Sequence, residues 1–140
     1  MQKLRGKVVV VDFWATWCGP CVAEIPELKR LYAKYHPQGV EFIGVNEDQS
    51  EIDGGLATLK SFVAEQQISW PQFFQGPNSA AFLAGESTGD FFESWGVEGI
   101  PTVFLIDAEG KLYSTHARGR LETLIQRLLA TSKPSTENKN

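Results

Sequence analysis

KVVVVDFWATWCGPCVAEIPELKRLYAKY, residues 7–35, is the stretch from which the fold can be read. Its opening, KVVVVDFW, is an apolar, β-branched run too short for a typical helix, bounded by Gly6 in front and a Cys, Gly and Pro cluster behind. Such a run reads as a strand buried on both faces, at the centre of a parallel or mixed sheet. From Pro20 onward Val22, Ile25, Leu28, Leu31, Tyr32 and Tyr35 recur at spacings of three and four. This predicts an amphipathic helix over 20–35, stopped by Pro37 and Gly39. Pro26 cannot donate to the carbonyl four residues back and is expected to kink that helix.

Between strand and helix stand Cys18 and Cys21, the two cysteines of the chain. Two are too few for a disulfide scaffold, and the i, i+3 spacing marks a chemical pair. Cys18 falls at the helix N-terminus, where unpaired backbone amides favour a thiolate and should depress its pKa. Cys21 lies in the first turn on the same side, close enough to resolve a mixed disulfide formed at Cys18. A purely structural disulfide is the weaker reading, since closing four residues constrains the unfolded chain by only about 2 kcal/mol. A zinc site would need His36 and His116, and His36 lies roughly 22 Å from Cys21 along a helix.

Outward from this stretch, VEFIGV at 40–45 reads as a strand, 46–55 as a polar loop, and 56–67 as a second helix. A short strand follows at 70–74, then a loop over 75–89 and a short helix carrying Phe91, Phe92 and Trp95. Strands at 102–106 and 111–115 flank a turn at DAEGK, and a last amphipathic helix covers 121–130. The order is βαβαβ, then a hairpin. With 140 residues, 42% hydrophobic and 21% charged, the composition suits one globular domain, 1–130, with 131–140 a polar, disordered tail. A net charge of −4 without a basic cluster argues against nucleic acid as a partner. No apolar run approaches the roughly 18–20 residues of a membrane helix.

WCGPC at 17–21, after a strand ending in DFWAT, resembles the thioredoxin active site, and WGVEGIPT at 95–102 resembles the segment carrying that family's cis-proline, Pro101 here. Within the superfamily, GKVVVVDFWATWCGPCVAEIPEL is most similar to the TlpA and ResA group of extracytoplasmic thiol-disulfide oxidoreductases. The resemblance implies a thioredoxin fold: a central mixed β-sheet flanked by helices, with a helix-strand insertion, residues 47–74, between the βαβ half and the cis-proline half. It also implies reduction of protein disulfides, with Cys18 attacking and Cys21 resolving. Trp17 would shield Cys18, while Gly99, Ile100 and Pro101 would offer extended backbone to the substrate. A disulfide-bearing protein substrate and an upstream thiol reductant are the implied partners. No organic cofactor or metal is implied, and the expected form is a monomer outside the cytoplasm.

Two carboxylates are candidates for the proton of Cys21. Alternation along the first strand puts Asp12 on one face with Val8 and Val10, where desolvation should raise its pKa. The matching Asp of thioredoxin lies beneath the buried cysteine. Glu24, one turn past Cys21, matches the acid-base Glu proposed for the ResA group. Trp14 reads equally as core or as site, and Gly44 falls where thioredoxins often keep a Lys. The loop 75–89 is longer than the group's and is expected to act as a specificity element, with Phe82 and Leu83 as its apolar edge. Those relatives usually carry an N-terminal strand ahead of Gly6-Lys7, so a domain from a longer protein is expected. The alternatives are a thiol peroxidase, against which the chain lacks a Thr-x-x-Cys pattern, and a copper-delivery module using Cys18, Cys21 and His116.

Overall fold

A computed structural model describes residues 6–48, 55–74, 96–97 and 99–132. Its first strand, β1 (Val8–Trp14), is buried at every position, as a β-branched run at a sheet centre should be. Five strands form one sheet in the order β3-β2-β1-β4-β5, where β2 is Val40–Asn46, β3 Gln72–Phe74, β4 Thr102–Ile106 and β5 Leu112–Ser114. The first three strands run parallel, β4 runs antiparallel to β1, and β5 antiparallel to β4. Asp12 is flanked in register by Gly44 on β2 and Val103 on β4. This is the mixed thioredoxin sheet, and the helix-strand insertion adds β3 at one edge.

The helix expected over 20–35 is two helices, α1 (Gly19–Ala23) and α2 (Ile25–Tyr35), and the break falls at Glu24, where a kink at Pro26 was expected. Pro26 explains the correction. At the second position of a new helix its missing N–H is no loss, whereas inside a continuous helix its ring would meet the Val22 carbonyl. The Glu24 amide instead bonds back to the Cys21 carbonyl at 3.2 Å, and the Glu24 carbonyl accepts from Leu28 N at 3.0 Å. Gly39, at φ 96°, takes the left-handed turn into β2 that a residue with a Cβ resists.

Two apolar clusters lie on the two faces of the sheet. On one, Val8, Val10 and Trp14 meet Ile25, Leu28, Leu31 and Tyr35 of α2, Leu59 of α3 (Gly55–Gln66), and Leu121, Leu124, Ile125 and Leu128 of α4 (Leu121–Ser132). Cys18 and Cys21 belong to this cluster. On the other, Val9, Val11 and Phe13 meet Ile43, Val45, Phe104 and Ile106. Glu122 fastens α4 to α2 by accepting from Lys34 Nζ (2.8 Å), Arg30 Nη2 (2.9 Å) and Tyr35 Oη (2.7 Å). These bonds hold its carboxyl down to about 2. The turn expected at DAEGK closes through Asp107 Oδ1, which accepts from Glu109 N and Lys111 N, each at 2.9 Å.

Strand β3 begins at Gln72, two residues later than expected, and α4 continues to Ser132, two residues further. The expected loop 75–89 with Phe82 and Leu83, the short helix with Phe91, Phe92 and Trp95, and the tail beyond 132 lie outside the described residues.

Candidate active site

The chain leaves β1 at Trp14 and turns through Ala15–Trp17, with Cys18 N donating to the Ala15 carbonyl at 3.2 Å. Cys18 is the extended residue that caps α1, and its sulfur accepts from Cys21 N at 3.3 Å. Gly19 and Pro20 open α1 where a missing amide hydrogen is tolerated. The two cysteines are joined in a disulfide with Cα atoms 5.2 Å apart. Both cysteines are buried, Cys18 at 6% exposure and Cys21 at 2%. Trp17, immediately before Cys18, is 57% exposed, while Trp14 is core: its ring packs on Phe62 and its Nε1 donates to Gln72 Oε1 at 2.8 Å.

Asp12 shares the Val8 and Val10 face of β1 and is buried, as alternation predicts. No hydrogen bond to its carboxyl is found among the described residues. Desolvation first, and the nearby charge of Glu24 second, push its pKa up to about 7. Glu24, at the α1–α2 break, is half-buried and forms a close ion pair with Arg118 Nε. Arg118 arrives on the segment after β5, where Ala117 N bonds to the carbonyl of Val103 at 3.2 Å, beside Asp12 in the sheet. A cleft of about 350 Å³ opens here, lined in part by Glu24, Leu28, Val103, Arg118 and Leu121.

The carboxyl end of β2 supplies a clamp that sequence reasoning passed over as the start of a polar loop. Asp48, fully buried, accepts from Thr16 N at 2.9 Å and from Thr16 Oγ1 at 2.6 Å. Its own amide donates to Asn46 Oδ1 at 2.9 Å, and Glu47 N donates to the Trp14 carbonyl at 2.9 Å. Residues 46–48 thereby hold the turn that leads into Cys18. An available signal was Asn46 and Asp48 at the C-terminal end of a parallel strand, the edge where such sheets build their sites. Arg118 carried no comparable signal.

Ile100–Pro101 is a cis peptide bond. Ile100 packs against the cluster that contains both cysteines, Gly99 is exposed, and Thr102 Oγ1 donates to the Gly99 carbonyl. Of the residues weighed as metal ligands, His36 stacks on Tyr32 and lies 3.4 Å from Glu41, while His116 is exposed with Nδ1 2.8 Å from Thr115 Oγ1. No group of three or more His, Cys, Asp or Glu side chains arranged to hold a metal ion is found among the described residues.

Fold and site together define a thioredoxin-fold thiol-disulfide oxidoreductase domain. The Redoxin family profile matches residues 1–126, and the chain belongs to that family. It is similar to the thiol-disulfide oxidoreductase ResA of Halalkalibacterium halodurans, 29% identical over 96% of this chain and 67% of the relative. The ResA of Bacillus thuringiensis is 34% identical over 80% of this chain and 56% of that protein. The chain therefore spans between about half and two thirds of these relatives. Among solved structures, a thiol:disulfide interchange protein from Bacteroides sp. superposes with a TM-score of 0.72 at 27% identity, covering 95% of this chain and 80% of that one.

Proposed function

We propose that the domain reduces disulfides in protein substrates, with Cys18 as nucleophile, Cys21 as resolving thiol and Asp12 as the acceptor of the Cys21 proton. The observation that carries this reading is the Cys18–Cys21 disulfide at the start of α1, with Cys18 at the helix cap and the less buried of the two residues. In the reduced form the Cys18 thiolate attacks one sulfur of the substrate disulfide, and the other leaves as a thiolate that takes up a proton. The Cys21 proton passes to the ionised Asp12 carboxylate, and the Cys21 thiolate attacks Cys18 Sγ, releasing the second substrate thiol. Two electrons leave the dithiol, which ends as the observed disulfide. An upstream thiol reductant restores it and completes the cycle.

The buried, donor-free carboxyl of Asp12 favours it over Glu24, whose carboxylate is engaged by Arg118. Trp17, Gly99, Ile100 and Pro101 form the substrate edge, consistent with the exposure of Trp17 and Gly99 and with Ile100 packed against the cysteine cluster. The resemblance to the TlpA and ResA group supports a protein substrate and an extracytoplasmic parent protein, and the domain works as a monomer. No helix among the described residues is long and apolar enough to cross a membrane. The test is a protein-disulfide reduction assay with cysteine variants. Cys18→Ser should abolish turnover, and Cys21→Ser should accumulate a mixed disulfide through Cys18. Faster alkylation of Cys21 than of Cys18 in the reduced protein would reverse the assignment.

A further inference from the structure

Gly44 lies in the middle of β2, and the space its own side chain would need is taken by another. A β-carbon on Gly44 would fall inside the Gln72 carboxamide, with Oε1 its nearest atom and Nε2 at 2.6 Å. Gln72 is the register partner of Gly44 on β3, and Gly44 is the register partner of Asp12 on β1. Neighbouring strands lie about 4.7–4.9 Å apart, and register partners in parallel strands share a face. The carboxamide thus occupies the place next to the Asp12 side chain that a residue-44 side chain would fill.

Its orientation follows from chemistry. The Trp14 indole can only donate, and it donates to Gln72 Oε1 at 2.8 Å, so the oxygen faces Trp14 and the nitrogen faces away. That nitrogen is buried and has no hydrogen-bond partner among the described residues. A buried amide donor without an acceptor is costly, and a buried carboxyl without a donor is harder to ionise. The two deficits fall on one register line across the sheet, Asp12 on β1 and Gln72 on β3 with Gly44 between them.

We infer that Gln72 is a positioning residue for Asp12: its Nε2 is the donor that meets the Asp12 carboxylate when Asp12 takes the Cys21 proton. The role rests on the reading of Asp12 as that acceptor. The other charge acting on Asp12 is Glu24 at the α1–α2 break, itself ion-paired with Arg118; Cys18 and Cys21 belong to the apolar cluster that contains Val8, Val10 and Trp14, the residues sharing its face of β1. The flanking residues on β2 and β4, Gly44 and Val103, bring no charge.

The test titrates the Asp12 carboxyl by carbon NMR in the disulfide form, where neither cysteine titrates, and measures the rate at which Cys21 resolves a mixed disulfide in the reduced form. Gln72→Met keeps the side chain's length and removes the donor, so the Asp12 midpoint should rise by about one unit and resolution at neutral pH should slow about tenfold. Gln72→Lys supplies a charged donor, so the midpoint should fall. A merely structural Gln72 would not give opposite signs. An unmoved midpoint in Gln72→Met, or shifts of the same sign in both variants, would overturn the assignment. Opposed shifts with an unchanged resolution rate would bear out the contact and overturn Asp12 as the acceptor.

Discussion

Two buried aspartates flank the cysteine turn, and they are furnished in opposite ways. Asp48, beyond the end of β2, receives two donors from Thr16 and holds the turn that leads into Cys18. Asp12, in the middle of β1, shares a face with Val8, Val10 and Trp14, is buried, and receives none among the described residues. Burial is common to both, so burial alone does not decide a carboxyl's role. Where donors are built in, the carboxyl becomes part of the frame; where they are withheld, its proton is held near neutrality and can be exchanged.

The contrast is sharpest in stability. A rise in the Asp12 pKa from 3.8 to about 7 in the folded disulfide form means that the native state binds more protons than the unfolded chain between those values. Stability should therefore fall as pH rises from about 4 through about 7, by a total of about 4 kcal/mol, and level off above. Asp12→Asn, neutral throughout, should match the parent near pH 4 and exceed it by about that amount at pH 8 or above. Asp48→Ala should do the reverse, costing about 3 kcal/mol because Thr16 loses both acceptors. Denaturant unfolding of the three proteins at pH 4 and pH 8 measures this. An Asp12→Asn variant no more stable than the parent at pH 8 would remove the distinction.

In catalysis the order of importance turns over. Asp12→Asn should slow the resolution of a mixed disulfide by Cys21 about 100-fold, the usual scale of lost general-base assistance, with the initial attack by Cys18 much less changed. Asp48→Asn retains one acceptor for Thr16 and should slow both steps by a similar, smaller factor, since it loosens the turn that carries Cys18 without entering the proton transfer. Stopped-flow measurement of the two steps separates them. Equal losses on resolution in the two variants would argue that the Cys21 proton goes to water.

The difference between these two residues was only half legible in the chain. Asp12 was legible because a strand alternates: once VVVVDFW is read as β1, its place beside Val8 and Val10 follows, and burial with a raised pKa follows from that. The cysteines, the cis-proline and the succession of strands and helices along the chain were legible for similar reasons, being either local in sequence or carried by motifs. Asp48 and Gln72 act across the sheet, on residues 32 and 58 positions away. No periodicity reports such pairings, because register between β2, β3 and β1 is set by the assembled core. Gly44 was the visible trace: a glycine inside a strand often marks a close approach, here by the Gln72 carboxamide. The break at Glu24 was misplaced onto Pro26 because a proline is accommodated more easily by restarting the helix ahead of it than by bending the helix around it.

The smallest expected effect tests which cause dominates at Asp12. Burial comes first and the Glu24 charge second, and Glu24 is both partly exposed and opposed by Arg118. Removing that charge in Glu24→Gln should lower the Asp12 midpoint, and by only about half a unit, since a half-exposed and compensated carboxylate acts through a strongly screening medium. Arg118→Ala removes the compensation instead, so the same midpoint should rise by a similar small amount, and both shifts should shrink as salt is added. Carbon NMR titration of Asp12 in the disulfide form reads all three. A fall of two units or more in Glu24→Gln would make charge the leading cause. The two carboxyls would then form one coupled acceptor whose proton cannot be assigned to Asp12 alone, and the contrast with Asp48 would lie in a charged neighbour instead of in missing donors.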